Sequence, residues 1–291
     1  MIEARELKVG GDDGHAWSVS ARVAENPHAT LLWLPALGVA AKHYLPFAEA
    51  LATHGIAVFV HEWRGNGSSN TRADRDHDWG YRELLTLDLP ASEAAIARTY
   101  PHLPQIIGGH SLGGQLACCR LALSPDSAAS LWLVASGSPY WRAFPAQIRY
   151  GLPRYGLPLV YRFLPWLARR RGALPGRLIG FGGNEARTLI TDWARTALSG
   201  VYVANGIAHD IEAAMANIDV PTRAIVLSDD WLAPASSVDF LLSKLSRSTT
   251  TVVTLDAPRL GVAADHFAWM KHPQVVARHL AERTISLASH P

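Results

Sequence analysis

Gly109–Gly113, with the sequence Gly-His-Ser-Leu-Gly, have the residue types and spacing of a nucleophilic serine site. They lie between an apolar run and a segment of helical spacing that begins at Leu112. A serine on a strained strand-to-helix turn points its hydroxyl out of the sheet, and flanking glycines relieve the crowding there. The dipole and free amides of the following helix favour a developing anion. The pattern therefore predicts Ser111 as a nucleophile.

A serine hydroxyl is a weak nucleophile without a general base, and that base needs an orienting acid. Asp229 and Asp230 follow the predicted strand Thr222–Leu227, at the carboxyl end where open α/β sheets place their sites. His266 follows the last predicted strand through a loop rich in Gly and Ala. The order serine, aspartate, histidine predicts His266 as the base and leaves two candidates for the acid.

The elements that must position these residues alternate between short apolar runs and longer amphipathic stretches. This alternation is typical of strands joined by helices in a largely parallel sheet, so the predicted fold class is α/β. The predicted strands are Ala16–Val23, Thr30–Leu34, Ile56–Val60, Gln105–Gly108, Leu131–Ala135, Thr222–Leu227 and Thr249–Leu255. The predicted helices are Lys42–His54, Leu84–Thr99, Leu112–Leu123, Ser236–Leu245 and Gln274–Leu287.

Residues 139–217, here called the insertion, interrupt that alternation with Pro, Gly, aromatic and Arg residues and short helical pieces. We interpret them as a helical cap inserted into a core formed by residues 1–138 and 218–291. Residues 139–184 contain eight arginines and no Asp or Glu, although the whole chain has a formal net charge of only +2.

Composition excludes several classes of protein. With 291 residues, 48% of them hydrophobic and 18% charged, the chain has enough apolar surface for a core and is not a disordered chain. The net charge does not indicate nucleic-acid binding. The neighbouring Cys118 and Cys119 suit neither a disulfide framework nor a zinc site. No signal peptide or membrane span is predicted, so we expect a cytoplasmic protein; its oligomeric state stays open.

Four segments together resemble the α/β-hydrolase superfamily of serine esterases and lipases. They are Leu31–Gly38, His61–Ser69, Gly109–Gly114 and the stretch from Pro221 to Pro273. The chain is most similar to a group of predicted hydrolases of undefined function within that superfamily. The resemblance implies an α/β-hydrolase fold with an inserted cap and a serine hydrolase that needs no metal and no diffusible cofactor.

The resemblance also implies roles for particular residues. Ser111 is the nucleophile, His266 the general base and acid, and Asp230 the orienting carboxylate. Asp229 competes with Asp230 for the last role, but only Asp230 completes the family pattern D-x-x-x-P, which ends on Pro234.

An oxyanion hole is implied at the backbone N–H groups of Leu112 and Leu37. Pro35-Ala36 stand where the family has His-Gly, which keeps Ala36 as an alternative donor. Glu62 replaces the usual Asp of a turn that is structural in the family.

Three further histidines have less specific interpretations. His110 lies beside Ser111 but points away from the hydroxyl, so packing or support of the turn is expected. His272 is an alternative base, although its place before Pro273 favours a surface or capping role. His61, with its neighbour Glu62, lacks a third metal ligand at compatible spacing, so no metal is expected.

The expected substrate is a small acyl ester or thioester, cleaved through an acyl-enzyme. Tyr140, Trp141 and Trp231 are predicted to contact it. The arginines of the insertion could recognise an anionic head group, make weak contact with an anionic membrane surface, or form a solvated face. Acyl transfer on the same residues and a non-catalytic binding role on the same scaffold remain alternative functions.

Overall fold

A central eight-stranded sheet dominates the computed structural model, which describes residues 1–282. The strands are β1 Ile2–Gly10, β2 Ala16–Ala24, β3 Ala29–Leu34, β4 Ile56–Val60, β5 Gln105–His110, β6 Ser130–Val134, β9 Thr222–Leu227 and β10 Thr250–Leu255, with the short pair β7 Leu174–Pro175 and β8 Asn184–Glu185 apart from the sheet. Their order in the sheet is β1-β2-β4-β3-β5-β6-β9-β10. Pairing is antiparallel from β1 to β4 and parallel from there onward, which confirms the mostly parallel α/β sheet.

Helices cover both faces of this sheet. The α-helices are α1 Leu45–Ala52, α2 Tyr81–Glu83, α3 Leu89–Thr99, α4 Leu112–Leu123, α5 Leu157–Arg171, α6 Gly176–Ile179, α7 Arg187–Ser199, α8 Ile211–Met215, α9 Ala235–Leu242, α10 Ala257–Leu260 and α11 Gln274–Ala281. Turns of 3-10 helix lie at Ala41–Tyr44, Pro125–Ser127, Trp141–Ala143, Arg149–Gly151, Arg154–Gly156 and Ala268–Lys271.

The central strands are continuous apolar runs because both of their faces are covered. Every residue of β3, β4 and β6 is buried. Two hydrophobic clusters form the core, one on each face of the sheet. Because β5, β6, β9 and β10 are parallel, the carboxyl ends of β5, β9 and β10 lie at the same edge of the sheet.

The strand β1 is not predicted from the sequence. It lies at the edge of the sheet, most of its residues are exposed, and Glu3, Arg5, Glu6 and Lys8 interrupt any apolar run. Its pairing with β2 over nine residues forms it instead.

Two predicted helices differ from the structure at prolines. The segment Lys42–His54 is a 3-10 turn followed by α1, whose first turn contains Pro46. The segment Leu84–Thr99 begins earlier, at α2, and passes through a π-helical turn at Leu84–Asp88 before Pro90. A proline has no N–H to donate to the carbonyl four residues before it, so the regular helix restarts at its first turn.

The predicted terminal helix Gln274–Leu287 is observed as α11 up to Ala281; residues 283–287 lie outside the described part. Within residues 1–282, no helix has the length and apolarity needed to cross a bilayer.

The insertion lies between β6 and β9 and contains helices α5 to α8. Helices α5 and α7 pack against each other, with the rings of Tyr161 and Trp193 5.1 Å apart. Residues of this segment line a cavity together with Ser111 and His266.

Candidate active site

Ser111 joins the end of β5 to the start of α4 with φ 56° and ψ −122°. A positive φ at a non-glycine residue is strained and persists only where neighbours hold it. The Ser111 N–H donates to the carbonyl of Val134 at 3.1 Å, and the Ser111 carbonyl accepts from the N–H of Gly114 at 3.1 Å. The strained turn predicted from the sequence motif is therefore present.

Gly113 allows α4 to approach the backbone of Leu34 and Pro35 closely. A Cβ at this residue would lie 2.1 Å from the carbonyl oxygen of Leu34 and 2.6 Å from that of Pro35. The second glycine of the motif thus brings the start of α4 against the loop that follows β3.

His266 is joined to Asp230 by a buried hydrogen bond. The Nδ1 atom of His266 lies 2.7 Å from Oδ2 of Asp230, so its N–H donates to the carboxylate. The other oxygen of Asp230 accepts from the N–H groups of Leu232 and Ala233 at 2.9 and 3.0 Å. Asp229, the alternative acid, is exposed, and the carboxylate on His266 is that of Asp230.

The loop that carries His266 is anchored on both sides. Trp269 donates its indole N–H to the carbonyl of His266 at 3.1 Å. Asp265 accepts the N–H groups of Phe267 and Ala268 at 3.0 and 2.8 Å. These bonds set the orientation of the imidazole without engaging its Nε2 atom.

Ser111 and His266 line the same cavity, which has a volume of about 270 Å³. Most of its lining is apolar. From the core it is lined by Ala36, Leu37, Ser111, Leu112, Gln115, Gly137, Trp231, Leu232, Ala233, His266 and Phe267, and from the insertion by Pro139, Phe144, Leu157, Val160, Tyr161, Leu164, Gly180, Phe181, Gly182 and Trp193. Among the described residues, no hydrogen bond joins the Ser111 hydroxyl to His266.

Two backbone amides on the cavity wall are free to donate. Neither the N–H of Leu37 nor that of Leu112 has a hydrogen-bond acceptor among the described residues. The N–H of Ala36, the alternative donor, instead donates to the hydroxyl oxygen of Tyr44 at 2.9 Å. The geometry therefore favours Leu37 over Ala36.

Tyr44 and His110 are linked beneath the site, and this link is missed by the sequence analysis. The Tyr44 hydroxyl lies 2.8 Å from Nδ1 of His110. Burial, and then the nearby His266, hold the pKa of His110 well below its usual range. Tyr44 and His110 are 66 residues apart and belong to no local pattern, so no signal in the sequence joins them.

Of the three aromatic residues predicted to contact the substrate, one lines the cavity and two do not. Trp231 lines the cavity. Tyr140 packs on Phe240 at 5.0 Å and Trp141 on Tyr155 at 5.8 Å, and neither is among the lining residues. None of the eight arginines of residues 139–184 lines the cavity. Recognition of an anionic group inside the cavity by these arginines is therefore not supported.

The other histidines lie away from the cavity lining. His272 is exposed at the end of a 3-10 turn. His61 is fully buried, with Nδ1 3.1 Å from the Ser92 hydroxyl, and burial lowers its pKa to about 3. No group of three potential metal ligands occurs among residues 1–282.

A second Ser-His-Asp arrangement is present and buried. His15 lies 3.0 Å from the hydroxyl of Ser69 and 3.2 Å from Asp88, whose carboxylate also binds Arg64 at 2.7 Å. Relative exposures of Ser69, His15 and Asp88 are 5%, 3% and 0%. Because this serine is closed to solvent and accepts backbone N–H groups, the arrangement is structural.

Solved structures with the same fold include several esterases and lipases. The chain is similar to an esterase from Thermogutta terrifontis, with 15% identity and a TM-score of 0.60 over 97% of this chain and 99% of that chain. It is also similar to the esterase domain of a Rhodothermus marinus protein, with 15% identity and a TM-score of 0.62 over 96% and 97%. A membrane phospholipase A described as a bacterial virulence factor is 18% identical, with a TM-score of 0.62 over 99% and 87%. These identities show a shared fold.

A comparison with curated proteins found no match. The family model for Hydrolase_4, described as serine aminopeptidase, S33, matches residues 25–180, more than half of the chain. The match includes Ser111, the glycines around it and the first part of the insertion. The chain therefore belongs to the Hydrolase_4 family and is a hydrolase with the α/β-hydrolase fold.

Proposed function

We propose that this protein is a serine hydrolase that cleaves carboxylic esters or thioesters with apolar acyl groups through an acyl-enzyme. The observation that carries the proposal is the 2.7 Å hydrogen bond between His266 and Asp230, formed on the wall of the cavity that Ser111 also lines. Nucleophilic catalysis requires a serine and a base that is oriented by a carboxylate, and here Ser111 and His266 open onto the same cavity.

In the acylation half of the reaction, Nε2 of His266 takes the proton of Ser111 while Oγ attacks the substrate carbonyl carbon. Asp230 holds the imidazole in the required tautomer and stabilises its positive charge. The N–H groups of Leu37 and Leu112 bind the oxyanion of the tetrahedral intermediate. Collapse of this intermediate breaks the bond to the alcohol or thiol, which leaves with the proton from His266.

Deacylation repeats these steps with water. His266 takes a proton from the water, whose oxygen attacks the acyl carbon, and the oxyanion returns to the same two amides. The acid is released as His266 returns the proton to Oγ of Ser111.

The cavity supports an apolar acyl group as the part of the substrate that is recognised. Its lining combines aliphatic side chains of α5 with the aromatic rings of Phe144, Phe181 and Trp193. Gln115 and His266 are among the few polar side chains of the lining. The insertion supplies much of this wall, so we assign residues 139–217 to a cap over the core.

Labelling with a fluorophosphonate probe tests the nucleophile directly. We expect stoichiometric labelling of the folded protein and none of Ser111→Ala. Ser69→Ala is the matched control, because Ser69 also forms a hydrogen bond with a histidine, His15, that is paired with Asp88, but Ser69 is buried. This variant should be labelled like the wild type. Labelling that persists in Ser111→Ala would overturn the proposal.

A substrate panel tests the reaction and the acyl group. p-Nitrophenyl esters and acyl-CoA thioesters of increasing chain length should be hydrolysed by the wild type, with a preference for apolar over acidic acyl groups, and not by Ser111→Ala. Acid release that is replaced by ester formation when an alcohol is added would instead assign acyl transfer. Folded protein that neither labels nor hydrolyses would favour a binding role.

A further inference from the structure

The outer face of α5 is apolar and basic, although it points to solvent. We define this face by Leu159, Arg162, Phe163, Trp166, Arg169 and Arg170, which follow one another at helical spacing and are exposed. Leu159, Phe163 and Trp166 are 71%, 49% and 51% exposed. A cap helix in water normally carries polar residues on this side, so the apolar side chains are exposed at a cost.

The opposite face of α5 packs against the rest of the protein. Tyr161, Leu164, Pro165 and Ala168 are buried. The apolar residues of the outer face are therefore additional to those needed to hold α5 in the fold. Exposed apolar residues continue on both sides of the helix in sequence, at Tyr150, Leu152, Tyr155, Leu178 and Ile179.

The arginines around this face form no close ion pairs within the described chain. None of the eight in residues 139–184 forms a salt bridge with a described carboxylate, and the segment itself contains no Asp or Glu. Four of them lie over aromatic rings; among these, Arg170 is 5.7 Å from the ring of Trp166, and Arg142 is 5.0 Å from that of Trp141. A surface complementary to this face would be anionic and would also accept aromatic and aliphatic side chains.

We propose that the outer face of α5 docks on an anionic lipid bilayer. Tryptophan and arginine suit the boundary between head groups and acyl chains, because each has an apolar body and a polar or charged end. Each basic residue near an anionic surface adds attraction, and apolar side chains add burial in the interface. An acidic partner protein would match the charge, but an anionic bilayer also accepts the exposed Leu159, Phe163 and Trp166, so we commit to the bilayer.

The cavity adjoins the docking face through the same helix. Leu157, Val160, Tyr161 and Leu164 of α5 line the cavity, and Val160 is also 48% exposed. A helix is roughly 10 Å across with its side chains, so a bilayer against the outer face lies about that far from the cavity wall. Docking would place an apolar substrate of the bilayer next to the proposed catalytic residues.

Vesicle flotation tests docking separately from catalysis, because it can be measured with the full-length Ser111→Ala protein. We expect binding to vesicles that contain equal amounts of phosphatidylglycerol and phosphatidylcholine, weak binding to phosphatidylcholine alone, and loss of binding in 0.5 M salt, where charges are screened within roughly 4 Å. Docking without hydrolysis, or hydrolysis of soluble esters without docking, would separate the two proposals.

Two double variants address the face itself. Arg169→Gln/Arg170→Gln should weaken binding to anionic vesicles roughly 10- to 30-fold, and Phe163→Gln/Trp166→Gln at least about tenfold. The matched control is Arg98→Gln/Arg247→Gln, which removes the same charge at exposed positions away from the insertion. When Ser111 is left intact, all three double variants should fold and hydrolyse a soluble short-chain ester at the rate of the wild type.

Several results would overturn the docking proposal. These are equal binding to neutral and anionic vesicles, unchanged binding of Phe163→Gln/Trp166→Gln, and an equal loss in the Arg98→Gln/Arg247→Gln control. Binding to soluble polyglutamate with no binding to vesicles would assign the face to an acidic protein partner instead.

Discussion

The imidazole rings of His110 and His266 lie with their centroids 4.7 Å apart. Two imidazolium ions at this distance would repel each other. Burial and the neighbouring His266 lower the pKa of His110, so His110 stays neutral. In the proposed mechanism, His266 can therefore take up a proton without a like charge beside it.

Tyr44→Phe should impair both the stability and the reaction. The Tyr44 hydroxyl accepts a hydrogen bond from the buried N–H of Ala36 and forms another with Nδ1 of His110. Its loss therefore leaves two buried polar groups without these partners. We expect a loss of about 1–3 kcal/mol in the free energy of unfolding, measured by denaturant titration, and a fall in kcat larger than the change in KM. The control Tyr155→Phe removes an exposed hydroxyl and should change neither quantity.

Asp230→Asn and Asp229→Asn separate the two candidate acids. Asp230 is buried and accepts the hydrogen bond from Nδ1–H of His266. The amide of Asp230→Asn should disturb the imidazole tautomer and lower kcat roughly 10³- to 10⁴-fold. Asp229 is exposed, and its amide should leave kcat within a few fold of the wild type. Steady-state hydrolysis of one p-nitrophenyl ester gives both values. Equal losses in the two variants would contradict the assignment of Asp230.

Gly113→Ala should destabilise the protein because the new methyl group meets backbone oxygens of Leu34 and Pro35 that cannot rotate away. We expect a cost of at least about 1–3 kcal/mol in the free energy of unfolding, seen as a lower thermal midpoint. Gly156→Ala is the control, because its φ is −75° and no atom lies within 4 Å of a Cβ there. A Gly113→Ala variant as stable as Gly156→Ala would show that α4 can shift away.

Glu185 should make stability depend on pH. Burial raises its pKa from 4.5 to about 7, although the N–H of Gly183 and the charge of Arg177 oppose the rise. The folded state then binds this proton more tightly than the unfolded state, so its contribution to stability is complete below about pH 4.5 and is lost as the pH rises to about 7.

Glu185→Gln removes this titration. The fall in unfolding free energy between pH 4.5 and 7 should become smaller by up to roughly 3 kcal/mol, measured by denaturant titrations at several pH values. Replacing the exposed Glu25 by Gln should leave the profile close to that of the wild type. Identical profiles for Glu185→Gln and the wild type would mean that the fold does not raise the pKa of Glu185.

Buried parallel strands and the helix after the serine motif could be predicted from the sequence. The bounds predicted for β4, β9 and α4 are those observed. Each is an unbroken apolar or amphipathic run that ends at a turn residue, so local chemistry defines it. The edge strand β1 could not be predicted because pairing with β2, rather than an apolar run, forms it.

Contacts across long separations limited the prediction of the site. The serine motif and the order of Asp230 and His266 indicate candidate roles, but the bond between Tyr44 and His110 follows only from packing. Tyr140 and Trp141 look suited to a binding site by composition. The irregular backbone of the insertion turns them toward Phe240 and Tyr155, a direction that no periodicity encodes.

The charged strand β1 also governs how the sheet ends. Its outer edge offers unpaired backbone groups to which a strand from another molecule could add. Glu3, Arg5, Glu6 and Lys8 would lose hydration if such a strand approached, and this cost opposes the addition. The charged residues that interrupt the apolar pattern of β1 thus also oppose aggregation through this edge of the sheet.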